Sequence, residues 1–586
     1  QVRSNQLFNL NGYEFTIANG GEAKIISGNG EPDFLKVTGE GSQLAVLFSS
    51  LDKGIVRVTT RRSTDETDMA ITLISDQNEV AKLIFTHDGK VKLTSNDGDK
   101  ELIGDSFDVK VYPSSFNSKL WEYLWTDEKI EVKKSITSLS AYFKDLGQVW
   151  MRTGWDKNDI TLRFRCGPEI GKDHGDQNGF TLSAFGEDIL PELKVPNLIG
   201  DLTQLQYDFY SWYWGSPGHN VIIVDGENIS DAESFKETGK VSVDGGIQVD
   251  QNEWRGSQTG RRYQAEWLSP YLPTKGEIQN IVLSDWYDYV AGEAHRAYVR
   301  QVPIDKWLRQ IIFVKEAAGG IDPYIVIYDE VRTLDGRLSR IDWQLHAKSS
   351  IIYTGNRITI KQGNIGLSAT VLLPGELEIE RKHTPHPNAN SGTPFVQVRP
   401  KEKVAETSYL VVLQPIKGVS PKIITPERVI GENAIGIIVE KGRSEKMIAG
   451  LIDKAIDLVR PSTAKDIILF QESDTGKMSA KGINSDGLAV FIRMIDDSPY
   501  SYSLHNGTIL SKEGKMLIES DKPIDVTVNI KDKGIEAEIW VSEKTQVSLH
   551  VTKEPEIISE GGAYSKDAGM LVFQLEPGRH SISARF

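Results

Sequence analysis

Apolar and polar residues alternate with a period of two along most of this chain. GIVRVTT (54–60), MAITLIS (69–75), KLIFTHDGKVKLTS (82–95), QIIFVK (310–315), YIVIYDEV (324–331), DVTVNI (525–530) and AEIWVSE (537–543) are rich in Val, Ile, Thr and aromatics. Such runs predict half-buried or buried β-strands. The pairs Asp88-Gly89, Asp97-Gly98 and Asn506-Gly507 predict tight turns between them. Helical spacing is scarce. SSFNSKLWEYLW (114–125) has capping Ser and Asn residues and apolar positions three to four apart. SEKMIAGLIDKAIDLV (444–459) fits either a helix or two strands with a turn at Asp453-Lys454.

The pattern predicts an all-β chain with three β blocks. Residues 1–107 form an N-terminal jelly-roll-like β-sandwich, and 108–140 a short helical linker. Residues 141–415 form a long antiparallel β region, and 416–586 a C-terminal β-sandwich. A chain of 586 residues is too long for one core, and no fixed-period repeat marks a solenoid or propeller. The 67 Lys and Arg against 82 Asp and Glu leave a net charge of −15, which argues against a nucleic-acid partner. An anionic polymer would need a local basic cleft. The single cysteine, Cys166, excludes an intrachain disulfide, and no apolar run is long enough to span a bilayer. The chain starts at Gln1 without Met, as expected for a secreted or cell-surface protein whose leader has been removed.

One hairpin loop concentrates chemistry. GKDHGDQNGF (171–180) lies between the strand-like runs ITLRFRCGP and FTLSAFG. In an extended segment Lys172, His174 and Asp176 would point to one face. Glu192 follows the next strand, and His219 stands immediately before NVIIVDG. Two histidines and a carboxylate at neighbouring strand ends form the N/O set that a zinc-type ion prefers. Hydrogen-bonded loop histidines fit the same residues, and spacing alone does not choose. Between Glu192 and His219 runs QYDFYSWYW, with Tyr207, Phe209, Tyr210, Trp212, Tyr213 and Trp214. Aromatics this dense form either core or a sugar-stacking groove.

The segments LWEYLW, YFKDLGQVWMRTGW, GPEIGKDHGDQNGFTLSAFGEDIL, GSPGHNVIIVDG, SDWYDYVAG and PYIVIYDEVRTLDG…IDWQLH, in this order, resemble the β domain of the heparinase II/III-like polysaccharide lyases. The resemblance covers roughly residues 120–350 and implies that 141–415 is an antiparallel β super-sandwich. It also implies β-elimination on an anionic, uronate-containing polysaccharide. A base takes the C5 proton, an acid protonates the C4 leaving oxygen, and a cation neutralises the uronate carboxylate.

Carried over residue by residue, the family's His-x-His-x-Asp loop places its second His on His174 and its Asp on Asp176. Its first His is replaced by Lys172. The remaining metal ligands fall on Glu192 and His219, so the implied zinc site is His174, Glu192 and His219. The family's acid/base tyrosine falls on Tyr207 or Tyr210. With Lys172, these are the candidate catalytic residues. Without the family's toroid, Lys172, Arg163 or Arg165 would have to neutralise the uronate, and Trp212 and Trp214 of the aromatic run are the candidates for stacking on sugar. The family places a long helical toroid before the β domain, whereas residues 1–107 here read as β. The lyase reading therefore expects a toroid on a second chain or on a removed N-terminal portion. The alternative expectation is a non-catalytic extracellular carbohydrate-binding or filament-forming protein that self-associates as a homo-oligomer. Both readings stay open on the sequence.

Overall fold

The protein is described from a computed structural model. The described residues are the strands between Val2 and Leu102, then 138–167, 174–196, 204–246, 248, 276–298, 304–315, 321–388, 391–440, 464–472, 476–531, 533–551, 553–559 and 561–586. The chain divides into two compact units, Gln1–Ser135 and Ile136–Phe586. In the first, Val2–Arg3, Glu22–Gly28 and Glu31–Thr38 form one three-stranded sheet. Seven further strands form a second sheet, in which Gln43–Leu47 and Met69–Ser75 run parallel. The expected strand 54–60 and the helical patterns at 114–125 and 444–459 lie outside the described residues.

The second unit is all-β apart from short helices. Its first sheet is a five-stranded meander: β1 (Ala141–Phe143), β2 (Gln148–Arg152), β3 (Thr161–Arg165), β4 (Gly179–Ala184) and β5 (Glu187–Leu190). A helix, α1 (Gln204–Trp214), leads into β6 (Ile222–Ile229). Strand β6 lies second in another five-stranded sheet, between Val243–Gly246 and Ile341–His346. An eight-stranded antiparallel sheet contains Ile304–Val314, Tyr324–Thr333 and Glu406–Lys417. The C-terminal strands from Glu427 onward form a fourteen-stranded sheet.

The eight-stranded sheet is the middle layer, and successive side chains of its strands enter different cores. Ile311 and Phe313 pack with Val149, Leu162, Leu182, Val224 and Trp343 beneath the two five-stranded sheets. Ile312 and Val314 pack on the opposite face with Ile437, Ile468 and Phe491 of the C-terminal sheet. Because both faces are buried, QIIFVK and YIVIYDEV read as nearly continuous apolar runs. The C-terminal sheet has a further core that includes Ile467, Leu504, Val526, Ile539 and Phe573.

One expected turn is not a turn. Ser498–Lys512 continues as a strand through Asn506-Gly507, and its register with Lys515–Lys531 shifts at that point. Asn506 takes φ 48° and its N–H donates to Asp525 Oδ1 at 3.0 Å. Gly507 lies so close to Gly487 that an added Cβ would come within 2.6 Å of the Gly487 Cα. The pair makes a bulge rather than a hairpin, since a neighbouring backbone occupies the space a turn would need.

Buried polar residues tie the layers together. The Asp329 carboxylate is fully buried. It accepts from Arg309 Nε (2.7 Å) and from another guanidinium nitrogen of Arg309 (3.0 Å), and from the indoles of Trp307 and Trp343 at 3.0 Å each. Removing one partner of such a pair leaves an uncompensated charge in the core, which costs about 3–5 kcal/mol. Arg309→Met should therefore lower unfolding free energy by roughly that amount. Urea titration checks this, and a loss below about 1 kcal/mol, the size of one net hydrogen bond, would refute it.

Candidate functional site

The site lies where the ends of β4 and β5 meet the segment between α1 and β6. β3 and β4 pair antiparallel, with Arg165 opposite Gly179, so GKDHGDQNGF does form a hairpin loop. Its described part is not extended. The Gly179 N–H closes a turn onto the Asp176 carbonyl at 2.7 Å, and Asn178 sits at φ 56°. Asp176 is not one of the three converging side chains and pairs with buried Arg165. Lys172 lies outside the described residues.

The aromatic run is helical, which period-two reading missed. Phe209, Trp212 and Tyr213 are three to four residues apart and bury together with Leu193 and Phe395. That is helical spacing, visible in the sequence beneath the high β-propensity of the aromatics. Trp212 is fully buried and its indole donates to the Ser230 carbonyl at 2.7 Å, so its ring offers no face to a sugar. Tyr210 and Trp214 emerge on the site side. Tyr210 stacks on Trp214 with centroids 4.4 Å apart, and Trp214 stacks on the His174 ring at 5.8 Å. The Tyr210 hydroxyl accepts from Gln206 Nε2 at 3.0 Å. Tyr207 belongs to the same helix, and its side chain lies outside the described residues.

His174, Glu192 and His219 converge. Their ligand atoms all lie within 4.8 Å of one another. Nδ1 of His174 and Nδ1 of His219 each lie 3.2 Å from Glu192 Oε1. Adjacent corners of a tetrahedron with ~2.0 Å metal bonds are separated by about this distance. Nε2 of His219 lies 3.3 Å from the Trp214 carbonyl. Donation there leaves Nδ1 as a lone pair aimed at a carboxylate oxygen, an arrangement that calls for a cation or a proton between them. The donor set therefore fits a zinc-type ion. Burial works to raise the Glu192 carboxyl, but His219, His174 and Arg163 outweigh it and hold it down to about 2. Burial pushes His219 below the usual histidine value, opposed by Glu192 and Asp176. A carboxylate beside neutral imidazoles is the protonation state a metal requires.

The two histidine-bearing loops are fixed to each other by the backbone. Gly175 N–H donates to the Trp214 carbonyl (2.8 Å), and Ser216 Oγ donates to the Gly175 carbonyl (2.9 Å). A Cβ on Gly175 would lie 2.9 Å from the Ser216 nitrogen, so only glycine permits this approach. One guanidinium nitrogen of Arg309 donates to both the Asn178 and the Asn220 carbonyls, at 2.7 and 2.8 Å. Sequence reasoning missed Arg309, because its role depends on two carbonyls far from it in the chain.

A narrow recess lies beside the cluster, lined by Arg163, Arg165, Asp176, Thr181, Glu192 and His219 among others. Arg165 is committed to Asp176. Arg163 makes no direct salt bridge among the described residues, although its charge acts on Glu192, and its buried Nε lacks a hydrogen bond.

Residues 136–398 match the family described as heparinase II/III-like, C-terminal. This region is a heparinase II/III-like domain. No curated protein is significantly similar to the whole sequence. Similar solved structures include the heparan sulfate lyase HepC from Pedobacter heparinus, at 14% identity and TM-score 0.37. That match covers 52% of this chain and 41% of that one. Another is the chondroitin AC lyase of Streptomyces coelicolor A3, solved with chondroitin sulphate, at 9% identity and TM-score 0.33. It covers 75% of this chain and 48% of that one. The chain thus spans under half the length of these two structures.

Beneath the cluster of the heparinase II/III-like domain lies His346, from the segment IDWQLH. It is fully buried and stacked on Phe395 at 5.0 Å. Burial, with His219 adding to it, pushes the imidazole down from 6.5 to about 3. The unfolded chain takes up this proton below about pH 6.5, and the folded chain refuses it until about pH 3. Neutral His346 therefore contributes stability above pH 6.5 that is lost progressively as pH falls through this window. His346→Phe should keep the stack and flatten the fall in urea midpoint between pH 6.5 and 4, and parallel curves for the two proteins would contradict this assignment.

Proposed function

We propose that the chain takes part in cleaving a uronate-containing polysaccharide by β-elimination, with the recess beside His174, Glu192 and His219 as its centre. The observation that carries this reading is the convergence of those three side chains next to Arg163, inside a heparinase II/III-like domain.

Arg163 holds the uronate carboxylate. Pairing that carboxylate with a fixed cation stabilises the charge that develops as the C5 proton leaves. Tyr210, whose ring continues the stack through Trp214 to His174, is the described side chain assigned to proton transfer, and Lys172 and Tyr207 are the further candidates on the same two elements. Loss of the C5 proton, rupture of the C4–O bond and protonation of the departing oxygen leave a C4=C5 double bond in the new non-reducing end. His174, Glu192 and His219 would hold a zinc ion, which when bound supplies fixed positive charge to the recess. The cavity also needs a wall opposite the sheet. A toroid on another chain or another part of the polypeptide would supply it, in a secreted or cell-surface setting.

The test is ultraviolet absorbance of the unsaturated product on a panel of alginate, heparan, chondroitin and pectin-type polymers, with zinc measured on the same sample. Turnover is expected, with losses of about 10²-fold or more in Arg163→Gln and Tyr210→Phe, the range of a lost electrostatic or proton-transfer group. His219→Ala should abolish zinc binding. Bound zinc with no product on any polymer, from this chain alone and from the complex or longer polypeptide that supplies the opposite wall, would overturn the lyase reading in favour of a carbohydrate-binding module.

A further inference from the structure

On the outer face of the five-stranded meander, strands β2 and β3 carry positive charge and aromatics, while Asp188 on β5 bonds Ser183 of β4. In antiparallel register Trp150 on β2 lies opposite Arg163 on β3, Arg152 opposite Thr161, and Gln148 opposite Arg165. Side chains alternate across a strand, so these positions share the face turned from the core that holds Val149, Met151, Leu162 and Phe164. Across β2 and β3 this face has three arginines and no carboxylate, in a chain of net charge −15. Arg165 is neutralised by Asp176. Neither Arg152 nor Arg163 makes a salt bridge among the described residues.

The arginines interleave with indoles. The Arg163 guanidinium lies 5.9 Å from the centre of the Trp150 ring. The Arg152 guanidinium lies 5.6 Å from Trp150 and 4.3 Å from Trp155. Trp155 is 56% exposed, and it is held there by a built turn. Thr153 and Ile160 exchange hydrogen bonds, Asp156 N–H donates to Asp159 Oδ2 at 2.6 Å, and Gly154 leaves the space that the Asp159 carboxylate fills. Asp159 is thus turned onto its own loop. A tryptophan fixed in solvent beneath an unpaired arginine forgoes the burial that normally accounts for the residue.

From this we infer that a binding stripe runs from the recess at Arg163, over Trp150 and Arg152, to Trp155, and takes the further anionic sugar units of the same polysaccharide chain. The inference deepens the proposed function and rests on it. Guanidinium groups recognise carboxylate or sulfate in a bidentate fork. Indole faces cover the apolar faces of sugar rings while the arginines hold the adjoining acid groups. Two residues along β2 advance ~7 Å, so Arg152 is placed for a unit beyond the one at Arg163.

The test measures affinity by calorimetry for the full chain with size-defined uronate oligosaccharides, a disaccharide and a decasaccharide. Arg152→Gln and Trp155→Ala are compared with the unaltered protein, and circular dichroism shows that each folds. Both variants should bind the decasaccharide about tenfold more weakly, with less than about twofold change for the disaccharide. Equal loss at both lengths, or none at either, would overturn the stripe while leaving the recess in place. A changed sedimentation coefficient with unchanged sugar affinity would identify the face as a protein seam and also overturn it. If the unaltered protein binds neither oligosaccharide, the stripe is wrong. The elimination assay on Arg163→Gln judges the recess separately, because neither stripe variant touches the residues assigned to chemistry.

Discussion

The buried pair of Arg309 and Asp329 carries the constraint on which the heparinase II/III-like domain depends. A carboxylate out of water is tolerated only when its lone pairs are met, and Asp329 meets them with Arg309 and the indoles of Trp307 and Trp343. Those partners come from strands of two different sheets. The guanidinium nitrogen not used by Asp329 holds the carbonyls of Asn178 and Asn220. One ion pair therefore fixes the eight-stranded sheet against Trp343 of the second five-stranded sheet. It also fixes the two loops that carry His174 and His219.

This arrangement explains why the candidate centre sits at the end of the strands and not on a sheet face. His174 and His219 belong to loops that would otherwise be free to separate. Hydrogen bonds from Gly175 and Ser216 join one loop to the other, and the fully buried Gln344 donates to the Ser216 and His219 carbonyls from below. Positioning of this kind lets three side chains approach within 4.8 Å without the loops reorganising when a ligand arrives. The stack of Tyr210, Trp214 and His174 adds a rigid wall on the helix side.

Electrostatics separates the site from the rest of the molecule. The chain is acidic overall, yet among the described residues Arg163 and Arg152 make no salt bridge, and the carboxylates of Asp176 and Glu192 that line the recess are engaged. Asp176 is held by Arg165 and Glu192 faces two imidazoles. A local field of this sign is what an anionic polymer requires of an acidic protein.

Much of this was legible in the sequence. Period-two alternation determined an all-β chain, because strands buried on one or both faces leave that signature in any context. The hairpin around GKDHGDQNGF, the placement of Glu192 after a strand and of His219 before one, and the convergence of these residues with His174 were readable from local order together with family resemblance. Other features depended on packing. Trp212 and Trp214 are two residues apart and equally aromatic, yet α1 sends one into the core and the other over His174. Asn506-Gly507 has the composition of a turn and becomes a bulge because Gly487 lies against it. Asp176 alternates with His174 in the chain, but a turn rotates it onto Arg165. The sequence determined which elements form and which residue types each carries, since those follow from local periodicity and backbone preference. Only the tertiary structure decided which side chains meet, since Arg309 reaches Asn178 and Asn220 across 131 and 89 residues of chain, and no local pattern encodes a contact of that span.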